Sequence, residues 1–196
     1  FDKNAEVMHS MFSFGFGFNN IWVEFEENQH IKVDQNCKTN IDIIFAVGDV
    51  IGPPWLAHVS STEGLYVVEH IAKLNPKQID YDCVPACTYS KPEIGSIGLS
   101  QKILDERGID YKVAKSFFNA NGKAVASSST EGFIKILVSN DNRILGAHII
   151  GSNATEMISE FSLAMRNNLS VENILDSIHP HPTFSEAIFE TLMHLK

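Results

Sequence analysis

The sequence predicts an α+β fold, an antiparallel sheet with covering helices, preceded by an incomplete α/β segment. Three observations carry this expectation. Phe133–Val138 and Ile144–Ile150 are apolar, β-rich runs joined by the polar Ser139-Asn140-Asp141-Asn142-Arg143, the pattern of a hairpin. Two later stretches, at Asn153 and Thr183, place a helix-start residue three positions ahead of a glutamate and then continue with apolar residues at helical spacing. Well ahead of them, Ile43-Ile44-Phe45-Ala46-Val47 reads as a buried strand ending in Gly48-Asp49, the pattern that puts a carboxylate at the carboxyl edge of an α/β sheet. Lys73-Leu74-Asn75-Pro76-Lys77-Gln78 interrupts the apolar patterns, so two regions are expected, 1–76 and 77–196.

In the first region, 31–33 is an alternating segment, Asp34-Gln35-Asn36 makes a turn, the Ile43 strand follows, and a helix is expected over about 56–72. No Gly-x-Gly-x-x-Gly opens a helix after a strand, and Gly15-Phe16-Gly17 has the wrong continuation for one. The run Met11 to Asn20 is too uniformly aromatic for an ordinary exposed loop. In the second region, 94–99 reads as a strand. Ser100 caps a helix that Gly108 ends, with Leu99 and Leu104 as a hydrophobic staple. Residues 111–118 alternate as a strand. After the hairpin, Asn153 and Glu156 form a capping box for a helix with Ala154, Met157, Ile158, Phe161, Ala164 and Met165 on one face. Leu169 and Ile174 staple a short helix capped by Ser170. Thr183 and Glu186 form a last box, which starts a helix at Phe184 and buries Phe184, Ile188, Leu192 and Leu195.

Composition bounds the function. Of 196 residues 44% are hydrophobic, enough for a real core. With 24 acidic and 15 basic residues the net charge is −9, which argues against a nucleic-acid backbone as partner. No apolar stretch approaches the length of a membrane span, so no membrane partner is expected. The chain begins at Phe1 rather than methionine, which suggests a fragment or a processed piece, and no targeting signal can be read. Cys37, Cys83 and Cys87 are an odd set, expected as reduced thiols. The C-x-x-x-C spacing of Cys83 and Cys87 matches no common redox pair, and no histidine cluster accompanies them, so no metal site is expected.

The richest chemistry lies in His179-Pro180-His181-Pro182-Thr183-Phe184-Ser185-Glu186. Two imidazoles and a carboxylate stand at the mouth of a helix, and the prolines fix φ on either side of His181, which aims its ring. A histidine held so stiffly is a candidate proton carrier. A plainer reading is that Glu186 only closes the capping box, the prolines only shape the helix entry, and both histidines are solvated. Spacing alone leaves both readings open. Gly48-Asp49 is similarly ambiguous, a hydroxyl-binding carboxylate or a strand-end turn. It is followed by Gly52-Pro53-Pro54-Trp55-Leu56-Ala57-His58 and by Glu63-Gly64.

Together these runs resemble the pyridine nucleotide-disulfide oxidoreductases. His-Pro-His-Pro-Thr-Phe-Ser-Glu-Ala is similar to their C-terminal signature, and the His-x-His-Pro-Thr form resembles the members that oxidise dihydrolipoamide. The runs from Val84 to Gly98 and from Ala147 to Gly151 are similar to the family's dimerisation domain. The resemblance implies that His181 is the acid/base partner of an active-site dithiol and Glu186 its orienting carboxylate. It implies that Asp49 binds the ribitol of FAD and that the backbone of Trp55, Leu56, Ala57 and His58 approaches the flavin. Trp55, Val59 and Ser60 stand where methionine, lysine and alanine are common. Gly15 and Asn19 match a turn near the nicotinamide cofactor, NAD, whereas Phe16 and Phe18 replace its arginine and proline. By the same likeness, 1–76 is the end of an NAD/FAD-binding region and 77–196 a dimerisation domain. The expected partners are a second copy of the chain and the dihydrolipoamide of a 2-oxo acid dehydrogenase or glycine cleavage complex, in the cytoplasm or, in a eukaryote, the mitochondrial matrix. A glutathione or mercuric reductase-like enzyme and a non-catalytic dimerisation module are the alternatives.

Overall fold

The computed structural model describes residues 22–195, which divide into two compact units between Ile79 and Asp80. In the first, the turn at Asp34 forms as expected: its Oδ1 accepts from the N–H of Asn36 at 2.7 Å and of Lys38 at 3.0 Å. Asn36 in turn accepts from the Tyr66 hydroxyl at 2.7 Å. Helix α1 (Ala57–Ile71) lies within a residue or so of the expected 56–72 and buries Val59, Glu63, Tyr66 and Val67. These positions repeat at helical spacing, which is why one side of α1 faces inward. Tyr66, Val67 and Cys37 make a small core with Phe45, Val47, Ile51 and Ile79 against it.

The buried strand expected at 43–47 does not form. Residues 43–47 are bonded to 37–39 through one bridge, Lys38 with Phe45, and Ile43 is 87% exposed. Residue Ile31 makes an isolated bridge to Phe25, and its N–H donates to the Val50 carbonyl at 2.8 Å. An apolar run becomes a buried strand when strands flank it and layers cover it. Among the described residues, only 37–39 lies alongside.

The second unit is the expected α+β domain. Its strands are β1 (Ala86–Thr88), β2 (Ile94–Gly98), β3 (Lys112–Phe117), β4 (Phe133–Val138) and β5 (Ile144–Ile150), all antiparallel in the order β1-β2-β5-β4-β3. One row across the sheet pairs Ile97, Ala147, Ile136 and Ala114, and all four are buried. Helix α4 (Ala154–Arg166) covers β2 and β5, and α6 (Glu186–Met193) covers β3 and β4. Phe161 and Ile158 from α4 and Ile188 and Leu192 from α6 meet the inward strand residues in one core. Burial of each such side chain stabilises the fold by about 1.5–3 kcal/mol before chain entropy is charged against it. Gly95 allows this approach: a Cβ there would lie 2.5 Å from the Ala154 carbonyl oxygen.

Helix α2 (Gln101–Arg107) is capped as predicted, by Ser100 Oγ on the N–H of Ile103 at 3.3 Å, and Gly108 ends it at φ 64°. Strand β3 stops one residue short of the expected 118, because Phe118 turns inward and is 1% exposed. The box expected at Asn153 does not form. Asn153 adopts φ 62°, not the extended conformation of a capping residue, and it makes no capping bond. Glu93 replaces it, its Oε2 accepting from the Thr155 N–H at 3.1 Å and hydroxyl at 2.8 Å. In α5 (Val171–Leu175) the box is completed by Asn173, whose Oδ1 accepts from the Ser170 N–H at 2.9 Å. Helix α6 begins two residues later than predicted, at Glu186. Two elements had not been expected, β1 and the short helix α3 (Gly122–Ala126).

Candidate functional site

His181 lies on the loop between α5 and α6, with Pro180 and Pro182 beside it and a cis peptide to Pro182. Its Nδ1 is 2.8 Å from Glu186 Oε1. The other oxygen of Glu186 accepts from the Thr183 N–H at 2.7 Å, so one carboxylate fixes both the ring and the loop's backbone. Only half of the predicted box is made. The Thr183 hydroxyl donates instead to the Pro180 carbonyl at 2.7 Å, tightening the loop around His181. Since the carboxylate accepts from Nδ1–H, the neutral ring keeps its lone pair on Nε2. The His181 side chain is 77% exposed and that of Glu186 20%, so the base faces outward while its acid lies half beneath it. The Thr183 N–H first, and then the His181 ring, hold the Glu186 carboxyl below the usual carboxylate range. This arrangement can take a proton at Nε2 and stabilise the imidazolium that results.

The loop is held from below by residues that sequence reasoning missed. Asn121, 1% exposed, caps α3 by accepting from the Ala124 N–H at 2.9 Å and donates from Nδ2 to the Thr183 carbonyl at 3.1 Å. A Cβ on Gly122 would stand 4.0 Å from His181 Cε1, so α3 runs directly under the ring. Phe184 packs edge-on against Phe118 at 5.9 Å between ring centroids. The signal was present in Asn121-Gly122 ahead of Lys-Ala-Val-Ala, an N-cap before a short helix. His179 is not solvated: its side chain is 8% exposed and its Nε2 lies 2.9 Å from Glu160 Oε1.

The second candidate cluster belongs to the first unit. Gly48 takes φ 76° in a 3₁₀ turn (Gly48–Ile51), and its N–H donates to the buried Glu63 Oε2 at 2.6 Å. A Cβ at Gly48 would lie 2.8 Å from Ser60 Oγ, so only glycine lets the turn sit this close to α1. Asp49 is exposed on that turn, and Ala57 and His58 are exposed at the N-terminal end of α1, with Leu56 half-buried ahead of them. Trp55 is 60% exposed and stands edge-on to His30, at 6.1 Å between ring centroids. An outward carboxylate can accept from hydroxyl groups, and a helix N-terminus favours an electron-rich ring edge. These residues therefore fit the sugar-like chain and ring of a flavin. Gly15 lies outside the described residues. Among the described residues no group of three or more His, Cys, Asp or Glu could hold a metal ion, and no helix is long and apolar enough to cross a membrane.

None of the three cysteines is bonded to another. Burial pushes the Cys37 thiol up to about 11, with Glu63 and Asp34 adding to it. Burial and the Asp80 carboxylate likewise push Cys83 up to about 11.

An antiparallel domain covered by two helices, with a histidine ahead of the last one and a glutamate at its start, matches a known family. Residues 84–192 match the model of the pyridine nucleotide-disulphide oxidoreductase dimerisation domain, and residues 11–64 match that of pyridine nucleotide-disulphide oxidoreductase. The chain belongs to the pyridine nucleotide-disulphide oxidoreductases. It is 42% identical over 177 residues to the mitochondrial dihydrolipoyl dehydrogenase of Caenorhabditis elegans, covering 90% of this chain and 36% of that protein. It is 45% identical over 168 residues to a dihydrolipoyl dehydrogenase of Bacillus subtilis (strain 168), covering 85% of this chain and 35% of that protein. Among solved structures, LpdA from Mycobacterium tuberculosis shares the fold with a TM-score of 0.87 at 23% identity, over 93% of this chain and 40% of that one. The chain spans about a third of the length of the curated relatives it matches.

Proposed function

We propose that the chain is the C-terminal part of a FAD-dependent dihydrolipoyl dehydrogenase, which oxidises dihydrolipoamide with NAD+. The observation that carries this is the 2.8 Å contact between His181 Nδ1 and Glu186 Oε1 on a loop pinned by Asn121 and Thr183. Residues 1–76 are the end of the NAD/FAD-binding region and 77–196 the dimerisation domain. When bound, FAD would supply the two-electron redox chemistry that links the dithiol to NAD+. The residues of this chain handle protons and position.

His181 Nε2 takes a proton from dihydrolipoamide, because the thiolate and not the thiol attacks a disulfide. Glu186 keeps Nδ1 protonated and offsets the positive charge the ring gains. Asp49 would hold FAD by accepting hydrogen bonds from its ribitol hydroxyls, and the backbone of Trp55, Leu56, Ala57 and His58 would hold its flavin ring. Gly15 contributes at the nicotinamide side. The enzyme is a homodimer in which His181 of each subunit serves the reactive disulfide of the other, and the dihydrolipoamide is that of a 2-oxo acid dehydrogenase or glycine cleavage complex. The compartment is the cytoplasm, or the mitochondrial matrix in a eukaryote.

The test is made in the full-length enzyme. His181→Gln should lower turnover of dihydrolipoamide by about 10² or more, the usual worth of a positioned base. Unchanged turnover overturns the base assignment. Preference for glutathione over dihydrolipoamide in competition overturns the substrate.

A further inference from the structure

His179 belongs to the same run as His181, yet the two rings are placed oppositely. The side chain of His181 is 77% exposed; that of His179 is 8% exposed. Both nitrogens of His179 face acceptors, Nδ1 the Ser177 carbonyl at 3.2 Å and Nε2 the Glu160 carboxylate at 2.9 Å. A neutral imidazole has one N–H, so both contacts are satisfied only when the His179 and Glu160 pair holds one more proton than neutral imidazole and carboxylate. The pair is therefore an internal ion pair or its neutral equivalent, with the His179 ring buried and the Glu160 carboxylate partly exposed.

Its position ties three elements together. Glu160 comes from the middle of α4. The His179 ring tilts against Phe189 at 6.1 Å between centroids, and Phe189 stands one turn beyond Glu186 on the same side of α6. Only Pro180 separates His179 from His181. With φ fixed at Pro180, a shift of His179 is passed to His181 with little slack.

We infer that His179, held by Glu160, is a positioning residue for His181, setting both the place and the electrostatic surroundings of the proposed base. This rests on the reading of His181 as that base. The charged groups that face His179 are Glu160 on α4 and Glu186 on α6, and Glu186 in turn faces His181 and Glu190. After the Thr183 N–H and His181, the His179 charge is a further influence holding the Glu186 carboxyl low.

The signs of the test follow from charge. His179→Gln leaves the Glu160 carboxylate without its cation, which favours protonated His181, so the acidic limb of the kcat/KM profile for dihydrolipoamide should move to higher pH. At low ionic strength the shift expected is about half a pH unit, with kcat lowered roughly 10-fold by loss of alignment. Adding Glu160→Gln removes the unpaired charge and should return the limb to its original pH while kcat stays low. Glu160→Gln alone should move the limb the other way, and it carries the test if His179→Gln does not fold. A limb that stays in place in these variants of the full-length enzyme means a merely structural role and overturns the inference. His181→Gln, made in parallel, separates the two readings: if it abolishes the limb while His179→Gln leaves it unmoved, only the positioning pair fails. If His181→Gln leaves turnover unchanged, both fail.

Discussion

A single carboxylate does two jobs in the loop before α6. Glu186 accepts from the His181 ring and from the Thr183 backbone, and these bonds hold its carboxyl below the usual range. A group with a depressed folded value stabilises the fold above its ordinary value and loses that contribution as pH falls through the lowered one. Wild type and Glu186→Gln should therefore differ in unfolding midpoint at neutral pH and converge below about pH 4. A difference that persists unchanged into acid would contradict this. The cysteines behave in the opposite sense. With Cys37 and Cys83 pushed up to about 11, almost no thiolate is present at pH 7. Alkylation by iodoacetamide should be slow at pH 7 and accelerate only in base, and a fast-reacting thiol in the native chain would count against these environments.

Helix α4 shows how an element is finished by its neighbours. The residue at its N-cap, Asn153, takes a left-handed conformation, and the orphan N–H of Thr155 is met by Glu93, 62 residues away. Glu93→Ala removes a cap and a negative charge at a helix N-terminus and should cost about 1 kcal/mol in urea denaturation. Asn153→Gly should be nearly neutral, because glycine adopts φ 62° without strain. If the two results were reversed, the capping role would return to Asn153. Helix α6 similarly starts at Glu186 because its predicted cap, Thr183, spends its hydroxyl on the Pro180 carbonyl.

At the scale of the molecule the two units differ in what they bury. The second has a continuous core of sheet and helices, whereas among the described residues of the first the core cluster is Cys37, Tyr66 and Val67 with a few half-buried neighbours. The first unit leaves Ile43, Leu65, Val68, Ile71 and Leu74 exposed. The three cysteines include no C-x-x-x-x-C pair, and no Gly-x-Gly-x-x-Gly opens a helix. The 196-residue polypeptide alone should therefore neither bind FAD tightly nor reduce NAD+ with dihydrolipoamide. Robust NADH formation by the purified chain, followed by absorbance, would refute this.

Periodicity was enough to read the hairpin β4–β5, helix α1 and the apolar face of α4, because each is specified by residues within a dozen positions of one another. The His181 and Glu186 couple was readable for the same reason, its members lying five residues apart. Packing decided the rest. The strand expected at 43–47 depends on neighbours that its own residues cannot supply, and the caps of α4 and the loop of His181 depend on Glu93 and Asn121, which lie about 60 residues away. His179 and His181 look alike in the chain, and only the approach of α4 makes one a buried partner of Glu160 and leaves the other open to solvent. A sequence pattern records which residues can pair locally; which distant side chain reaches an unfilled donor is settled when helices close on a sheet.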